Sequence, residues 1–213
     1  MNPKKTLLIA LLVMAIALPL QARTMRDLFI TEHADICLVL TKTNRLDMLD
    51  YYDSGQKHEM DNNMDGKSVL TVADSDFVEL NMSESRTVQM KLLTQGIDTV
   101  IAVIETFKTP TPDSKISFYN TAWIQQNEKL FFSMPTMNDF ILKSIDKKKR
   151  AELLAEITFP LIKLEFTGAN HNTLTASHGL KQFLVAEDYN RIARYYIPSI
   201  TYNVQGIKIK RTK

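Results

Sequence analysis

The sequence has few of the residues on which several common types of site depend. Its single cysteine, Cys37, cannot close an intramolecular disulfide bond, and its apolar neighbours predict a buried structural thiol. The six glycines are too widely spaced to form a dinucleotide-binding loop, a P-loop or a G-x-S-x-G nucleophile turn. These absences argue against a disulfide-stapled domain and against the commonest nucleotide-binding and hydrolase classes.

The chain also lacks an excess of charge of either sign. It has 26 lysines and arginines and 24 acidic residues, but two of the lysines lie within residues 1–22, where there is no acid. The remainder of the chain is therefore neutral, with no overall positive field that would attract a phosphate backbone. We expect no nucleic-acid partner.

The N-terminal segment contains the longest apolar run. Lys4 and Lys5 precede an uncharged stretch from Thr6 to Leu20, which is shorter than the ~20 residues that a spanning helix requires. Because a basic, an apolar and a small-residue part follow one another, residues 1–22 are predicted to be a signal peptide. The residue directly after the predicted cut is Arg23 and not a cysteine, so a lipoprotein is not expected. We expect a soluble exported protein, periplasmic or secreted.

The pattern of apolar residues changes along the first half of the chain. Spacings of three and four predict short amphipathic helices within residues 25–53, including a helical segment through Ala34 and Leu38. Strict alternation over residues 78–92 then predicts an antiparallel meander whose polar face, with Gln89 and Lys91, is solvated. The run from Thr99 to Phe107 is apolar at nearly every central position, which predicts a strand covered on both faces.

The second half begins with a loop and continues with separate helices and strands. Asp146 is predicted to cap a helix that ends before Pro160, and residues 162–166 alternate as a half-buried strand. A last helix ends near Pro198 and precedes a hairpin. Helices and strands are segregated, so we predict an α+β fold with mostly antiparallel sheet. Residues 23–213 would form a single domain, with subdomains 23–124 and 125–213 that are two related halves in one interpretation.

One segment resembles a calcium-binding loop. Asp61, Asn63 and Asp65 stand at alternate positions before Gly66, as in the first half of an EF-hand loop. The match is partial because Val72 occupies the position of the bidentate glutamate. An Asp-Gly pair before a strand is also typical of an ordinary turn. The sequence leaves both interpretations open, calcium site and turn, and predicts no other metal site and no cofactor.

The remaining polar motifs favour structural interpretations. His58 and Glu59 begin an H-E-x-x-H motif, but Asn62 stands where the second histidine is required. His171 and His178 are most simply polar loop or edge residues. Two basic segments, residues 147–150 and 208–213, are typical of solvated helix starts and chain ends, although an anionic partner is the alternative. We predict no catalytic residue.

Several sequence blocks nevertheless have a recognisable pattern. They are Arg23–Phe29, Asn44–Asp47, Asp50–Gly55, Asp65–Val72 and Ile116–Tyr119 with Trp123. Together they resemble an exported domain-of-unknown-function family found in Bacteroidales, family 3256. The resemblance implies an envelope or secreted location and a mixed α+β fold, and it implies no catalytic residue because the family has no assigned activity.

Taken together, these observations favour a non-catalytic binding or interaction module of the cell envelope. Its partner would be an envelope protein or glycan, and the chain would not be membrane-embedded after signal cleavage. The alternative is a hydrolase of envelope or dietary polymers whose acids come from distant parts of the sequence. A structural envelope component is a third hypothesis. A deep pocket with converging carboxylates would favour the enzyme, and a flat apolar patch would favour a partner-binding module.

Overall fold

The computed structural model describes residues 23–56, 59–108, 110–157 and 159–212, so the predicted signal peptide lies outside the described residues. Within them there are six short helices: α1 (Met25–Ile30), α2 (Lys42–Asp53), α3 (Met137–Phe140), α4 (Lys147–Ala155), α5 (Leu180–Phe183) and α6 (Ala186–Ile192). The first group of strands is β1 (Glu59–Asp61), β2 (Lys67–Ala73), β3 (Phe77–Ser83), β4 (Arg86–Gln95), β5 (Asp98–Phe107), β6 (Asp113–Tyr119) and β7 (Gln125–Gln126). The second group is β8 (Ile162–Thr167), β9 (Thr173–His178), β10 (Ser199–Gln205) and β11 (Lys208–Arg211).

The strands form two antiparallel sheets. Strands β1 to β7 lie side by side in chain order in a seven-stranded sheet, and the second sheet has the order β11-β10-β9-β8. Tight hairpins make this order possible. In the hairpin between β10 and β11, Gly206 has a φ of 62°, which glycine adopts without strain. The predicted α+β fold with mostly antiparallel sheet is confirmed.

Strand β5 is buried on both faces, as its sequence predicts. Ile101 and Val103 belong to an apolar core on one side of the seven-stranded sheet, whereas Ala102 and Ile104 belong to a core on the other side. Because neighbouring residues of a strand point to opposite faces, a strand between two cores needs apolar residues at consecutive positions.

Helices α1 and α2 cover one face of the seven-stranded sheet. Each begins with a threonine cap: the Thr24 hydroxyl accepts a hydrogen bond from the Asp27 amide, and Thr41 does the same for Asn44. The apolar core of this layer contains Met25, Leu28, Phe29, Met48 and Leu49 from the helices and Leu70, Val78, Leu80, Met82, Val88 and Met90 from the strands.

The segment between these helices is not helical, which corrects the prediction through Ala34 and Leu38. It forms turns around a buried ion pair, in which Arg45 Nη1 lies 3.8 Å from Glu32 Oε2. The Glu32 carboxylate also accepts hydrogen bonds from the amides of Ile36 and Cys37. These bonds satisfy backbone donors that a helix would have paired internally, so the turns carry only a small free-energy penalty for buried polar groups.

The second sheet packs on the opposite face of the first. Its core combines residues from both halves of the chain, such as Ala102 and Phe118 with Leu164 and Ile200. Helix α4 begins as predicted, because the Asp146 side chain accepts a hydrogen bond from the Lys149 amide at 3.0 Å. Two similar triplets, Asn44-Arg45-Leu46 and Asn190-Arg191-Ile192, lie in different environments: Arg45 is buried, whereas Arg191 is exposed and paired with Glu156 and Asp188.

Candidate functional site

The two sheets meet where the edge of β8 lies beside the seven-stranded sheet. Three backbone amides on this edge donate to side chains of the first sheet: Ile162 to Asp113 Oδ1 at 3.0 Å, Leu164 to Ser114 Oγ at 2.9 Å and Phe166 to Gln89 Oε1 at 2.8 Å. A strand edge presents unpaired donors, and buried donors are costly unless they are bonded. These side chains therefore fix β8 against the sheet without a continuous backbone ladder.

Gln89 also organises a carboxylate. Its Nε2 donates to Glu79 Oε2 at 2.5 Å, and the Thr71 hydroxyl donates to Glu79 Oε1 at 2.8 Å. Thr71 is placed for this contact by a bulge, since the pairing of β2 with β3 shifts between Leu70 and Val72. Both oxygens of Glu79 are thus held in fixed positions at the junction.

An open cleft runs along β8 at this junction. One part has a volume of about 330 Å³ and is lined by Glu79, Thr87, Gln89, Thr106, Lys108, Pro112, Lys163, Leu164 and Glu165. The adjoining part has a volume of about 300 Å³ and is lined by Pro112, Lys163, Ser177, His178, Gly179, Lys181, Gln182, Tyr189 and Pro198. Pro112 and Lys163 line both, so the two parts are adjacent. We call them together the β8 cleft.

The cleft is polar and carries charges of both signs. Glu165 and Lys163 form an ion pair along β8, with Nζ 2.7 Å from Oε2. Lys108 and Lys181 are exposed at the two ends. Hydroxyl, carboxamide, ammonium and carboxylate groups therefore line one continuous surface.

His178 lies in the wall of the second part of the cleft. Burial lowers the pKa of this imidazole, while a hydrogen bond to a backbone carbonyl acts in the opposite direction. The neutral ring donates from Nε2 to the Ile197 carbonyl at 3.2 Å and packs edge-on against Phe140 and Tyr196. Its Nδ1 is buried and has no hydrogen-bond partner among the described residues. His178 is thus a wall residue, with neither ring nitrogen presented to a ligand.

The histidine at the other end of β9 has a different environment. His171 stacks on Phe77 with ring centroids 3.7 Å apart, and its Nε2 lies 3.6 Å from Asp74 Oδ2. The preceding carbonyl, that of Asn170, accepts a hydrogen bond from the buried Lys91 at 2.7 Å. These contacts fasten the β8–β9 connection to the first sheet, in agreement with a structural interpretation of His171.

The partial calcium motif lies in the β1–β2 turn, away from the cleft lining. Asn62, which the motif does not use, organises this turn: its Oδ1 accepts the amides of Met64 and Gly66 at 3.0 and 3.1 Å. Asp65 has a left-handed φ of 57°, and the Asp61 Oδ1 atom lies 3.6 Å from Lys67 Nζ. Within the described ranges, no group of three or more histidine, cysteine or acidic side chains could hold a metal ion. His58 lies outside them.

Cys37 is buried in the helix-side core, and burial raises the pKa of its thiol well above the ordinary range. A thiol in that state is a weak nucleophile because the thiolate is the reactive form. The predicted structural thiol therefore agrees with its environment. The sequence predicted no binding role for any residue of the cleft. Glu79 and Gln89 alternate with apolar neighbours as solvated strand residues do, so no local signal distinguished them.

The comparisons with known proteins identify a family and a similar fold and leave the activity open. A family model described as "Protein of unknown function (DUF3256)" matches residues 17–209. A solved domain of an uncharacterised protein from Porphyromonas gingivalis W83 is similar at a TM-score of 0.75 and 20% identity, over 88% of this chain and 97% of that one. No curated protein matches. No helix of the described residues is long and apolar enough to span a membrane.

Proposed function

The chain belongs to the DUF3256 family of proteins of unknown function, and we propose that it is a non-catalytic binding module whose β8 cleft takes an oligosaccharide of the cell envelope. The observation that carries this proposal is the continuity of the cleft across two sheets. Pro112 and Lys163 line both of its parts, so an extended ligand can contact both.

The chemistry of the lining favours a sugar chain. Hydroxyl and carboxamide groups, such as those of Thr87, Ser177 and Gln182, offer the mixture of donors and acceptors that ring hydroxyls require. Tyr189 adds an aromatic surface at one end. The cleft is also pre-formed, because side-chain hydrogen bonds fix β8, and pre-organisation lowers the entropic cost of binding.

A glycan array followed by calorimetry tests this proposal. Oligosaccharides that the array identifies should bind the double variant Lys181→Ala/Gln182→Ala about fivefold more weakly than the wild type. The reason is that each of the two side chains supplies one or two exposed hydrogen bonds. Lys115→Ala is the matched control, because Lys115 is exposed on β6 and does not line the cleft. Absence of any array signal, or equal weakening by the control, would contradict the proposal.

A hydrolase remains the second candidate, because Glu79 and Glu165 line one part of the cleft. A retaining or inverting glycosidase needs one carboxyl group that keeps its proton, usually in an apolar pocket. Glu165 is instead ion-paired with Lys163, and Glu79 accepts two hydrogen bonds. Turnover of a glycoside panel that disappears in Glu165→Gln, with unchanged folding, would favour the enzyme over the module.

Export and domain organisation are further parts of the proposal. The order of basic and apolar residues in 1–22 supports a cleaved signal peptide, and a shared apolar core supports a single domain over residues 23–213. Intact-mass measurement of the protein from its native cell fraction should give a chain that begins at Arg23. A mass that includes residues 1–22 would contradict export by cleavage.

A further inference from the structure

The two basic segments of the sequence meet at one cavity outside the β8 cleft. Arg150 comes from helix α4 and Arg211 from the edge strand β11, and both line a cavity of about 450 Å³ together with Lys143. The cavity shares no lining residue with the β8 cleft. We call it the Arg150 cavity.

Its apolar wall is held by backbone hydrogen bonds. Ile141 forms an isolated antiparallel bridge with Tyr196, the Leu142 amide donates to the Tyr195 carbonyl at 2.9 Å, and the Ile197 amide donates to the Phe140 carbonyl at 2.8 Å. Ile141, Leu142 and Ile197 therefore line the cavity from two segments that are fixed to each other. A ligand would find this wall already formed.

Arg150 is oriented by neutral groups. Its Nη1 donates to the carbonyl and the side-chain oxygen of Asn138 at 3.0 and 2.9 Å, and its Nη2 donates to the Leu142 carbonyl at 2.9 Å. In the described part of the chain, no carboxylate lies within ion-pair distance of Arg150 or Lys143. These contacts hold the guanidinium rigidly without neutralising its charge.

The other charges of the lining do not balance these cations. Among the described residues that line the cavity, Asp139 is the only acidic one, and its carboxylate already lies 3.6 Å from Arg211 Nη1. Three cations and one anion around an apolar wall favour a ligand that is negative at one end and apolar over the rest. The volume is within the range of small-molecule sites.

We infer that the Arg150 cavity binds a small amphiphilic carboxylate. The apolar body of the ligand packs against Ile141, Leu142 and Ile197, and its carboxylate accepts hydrogen bonds from Arg150 with Lys143 and Arg211 nearby. This inference does not depend on the function proposed for the β8 cleft.

Calorimetric titration of the whole mature chain with sodium octanoate, octanol and octylammonium tests the inference. Octanoate should bind at least tenfold more tightly than octanol, and octylammonium should bind more weakly than either. Raising the salt concentration should weaken octanoate binding several-fold, because the charges are partly exposed. Equal affinity for octanoate and octanol, or no octanoate binding, would overturn the inference.

Charge variants locate the binding. Lys143→Gln/Arg211→Gln should weaken octanoate binding about fivefold, and Arg150→Gln should weaken it about tenfold or more. Because Arg150 also holds three backbone and side-chain oxygens, the double variant provides the test if Arg150→Gln fails to fold. Lys148→Gln and Lys208→Gln are matched controls on the same helix and strand, outside the lining, and should bind like the wild type. Equal weakening in the controls would contradict a site in this cavity.

Discussion

The two faces of the seven-stranded sheet are buried by different means. On the helix side, apolar side chains such as Leu80 and Met90 pack against α1 and α2. On the other side, Gln89 and Lys91 are 7% and 1% exposed and form directed hydrogen bonds to the second half of the chain. On the helix side, these sheet residues contribute apolar burial, which has no preferred direction, whereas on the other side Gln89 and Lys91 of the sheet also specify their partners by bond geometry.

The comparison predicts its largest effect on the helix side. Phe29→Ala removes a fully buried ring beneath α2, so it should lower the free energy of unfolding by about 3–5 kcal/mol through lost burial and a residual cavity. Urea unfolding measures this change. A loss below ~1 kcal/mol would mean that this layer contributes little to stability.

A smaller effect is expected at the sheet junction. Gln89→Leu leaves the Phe166 amide without its acceptor and removes a donor from Glu79. The free energy of unfolding should therefore fall by about 1–3 kcal/mol. Gln126→Leu, a change of the same type at the sheet edge, should cost far less because its amide bonds only to neighbouring carbonyls. Similar losses in both variants would contradict a junction specified by Gln89.

These two faces also show what the sequence could predict. Alternation placed the helix-side residues of β3 and β4 correctly, and the continuous apolar run of β5 predicted its burial on both faces, because apolar burial leaves a pattern in the sequence. The prediction that Gln89 and Lys91 are solvated was wrong, since a polar residue alternates in the same way whether it contacts water or a buried partner. Phe166, the partner of Gln89, lies 77 residues away in the chain, and Asn170, the partner of Lys91, lies 79 residues away. No local pattern contains that contact.

The same limitation applies to the candidate sites. Helix α4 and its Asp146 cap were predictable because the cap bonds to a residue three positions away. The convergence of Arg150 with Arg211 was not predictable, because it depends on how α4 and β11 pack. The turns at residues 31–41 were missed for a similar reason: the Glu32–Arg45 pair outweighs a weak helical pattern.

The junction should also respond to pH through His178. Burial makes the pKa of this imidazole lower in the folded chain than in the unfolded chain, so protonation favours unfolding. The stability that the neutral imidazole provides is fully present above about pH 6.5, the ordinary pKa of histidine, and is lost as the pH falls below that value. The melting temperature should therefore drop between pH 7 and pH 5, and should drop less in His178→Phe.

His33 provides the control for this prediction, because it is exposed. His33→Gln should keep the wild-type dependence on pH. An unchanged dependence in His178→Phe would show that other groups cause the loss.

The smallest effect is expected at the β1–β2 turn. Because hydrogen bonds from two amides to the Asn62 side chain organise this turn, millimolar calcium should leave the melting temperature unchanged within error, in the wild type and in Asp61→Ala. A clear rise with calcium that Asp61→Ala abolishes would support a site at Asp61, Asn63 and Asp65.

The central claim, that the junction of the two sheets forms a binding site, is tested most directly by nuclear magnetic resonance. The probe is a titration of ¹⁵N-labelled residues 23–213 with soluble oligosaccharides released from the cell envelope. We predict saturable shifts of amide signals along β8 and α5, including those of Lys163 and Gln182, and little change on the helix side. No shifts, or shifts confined to α1 and α2, would contradict a binding site in the β8 cleft.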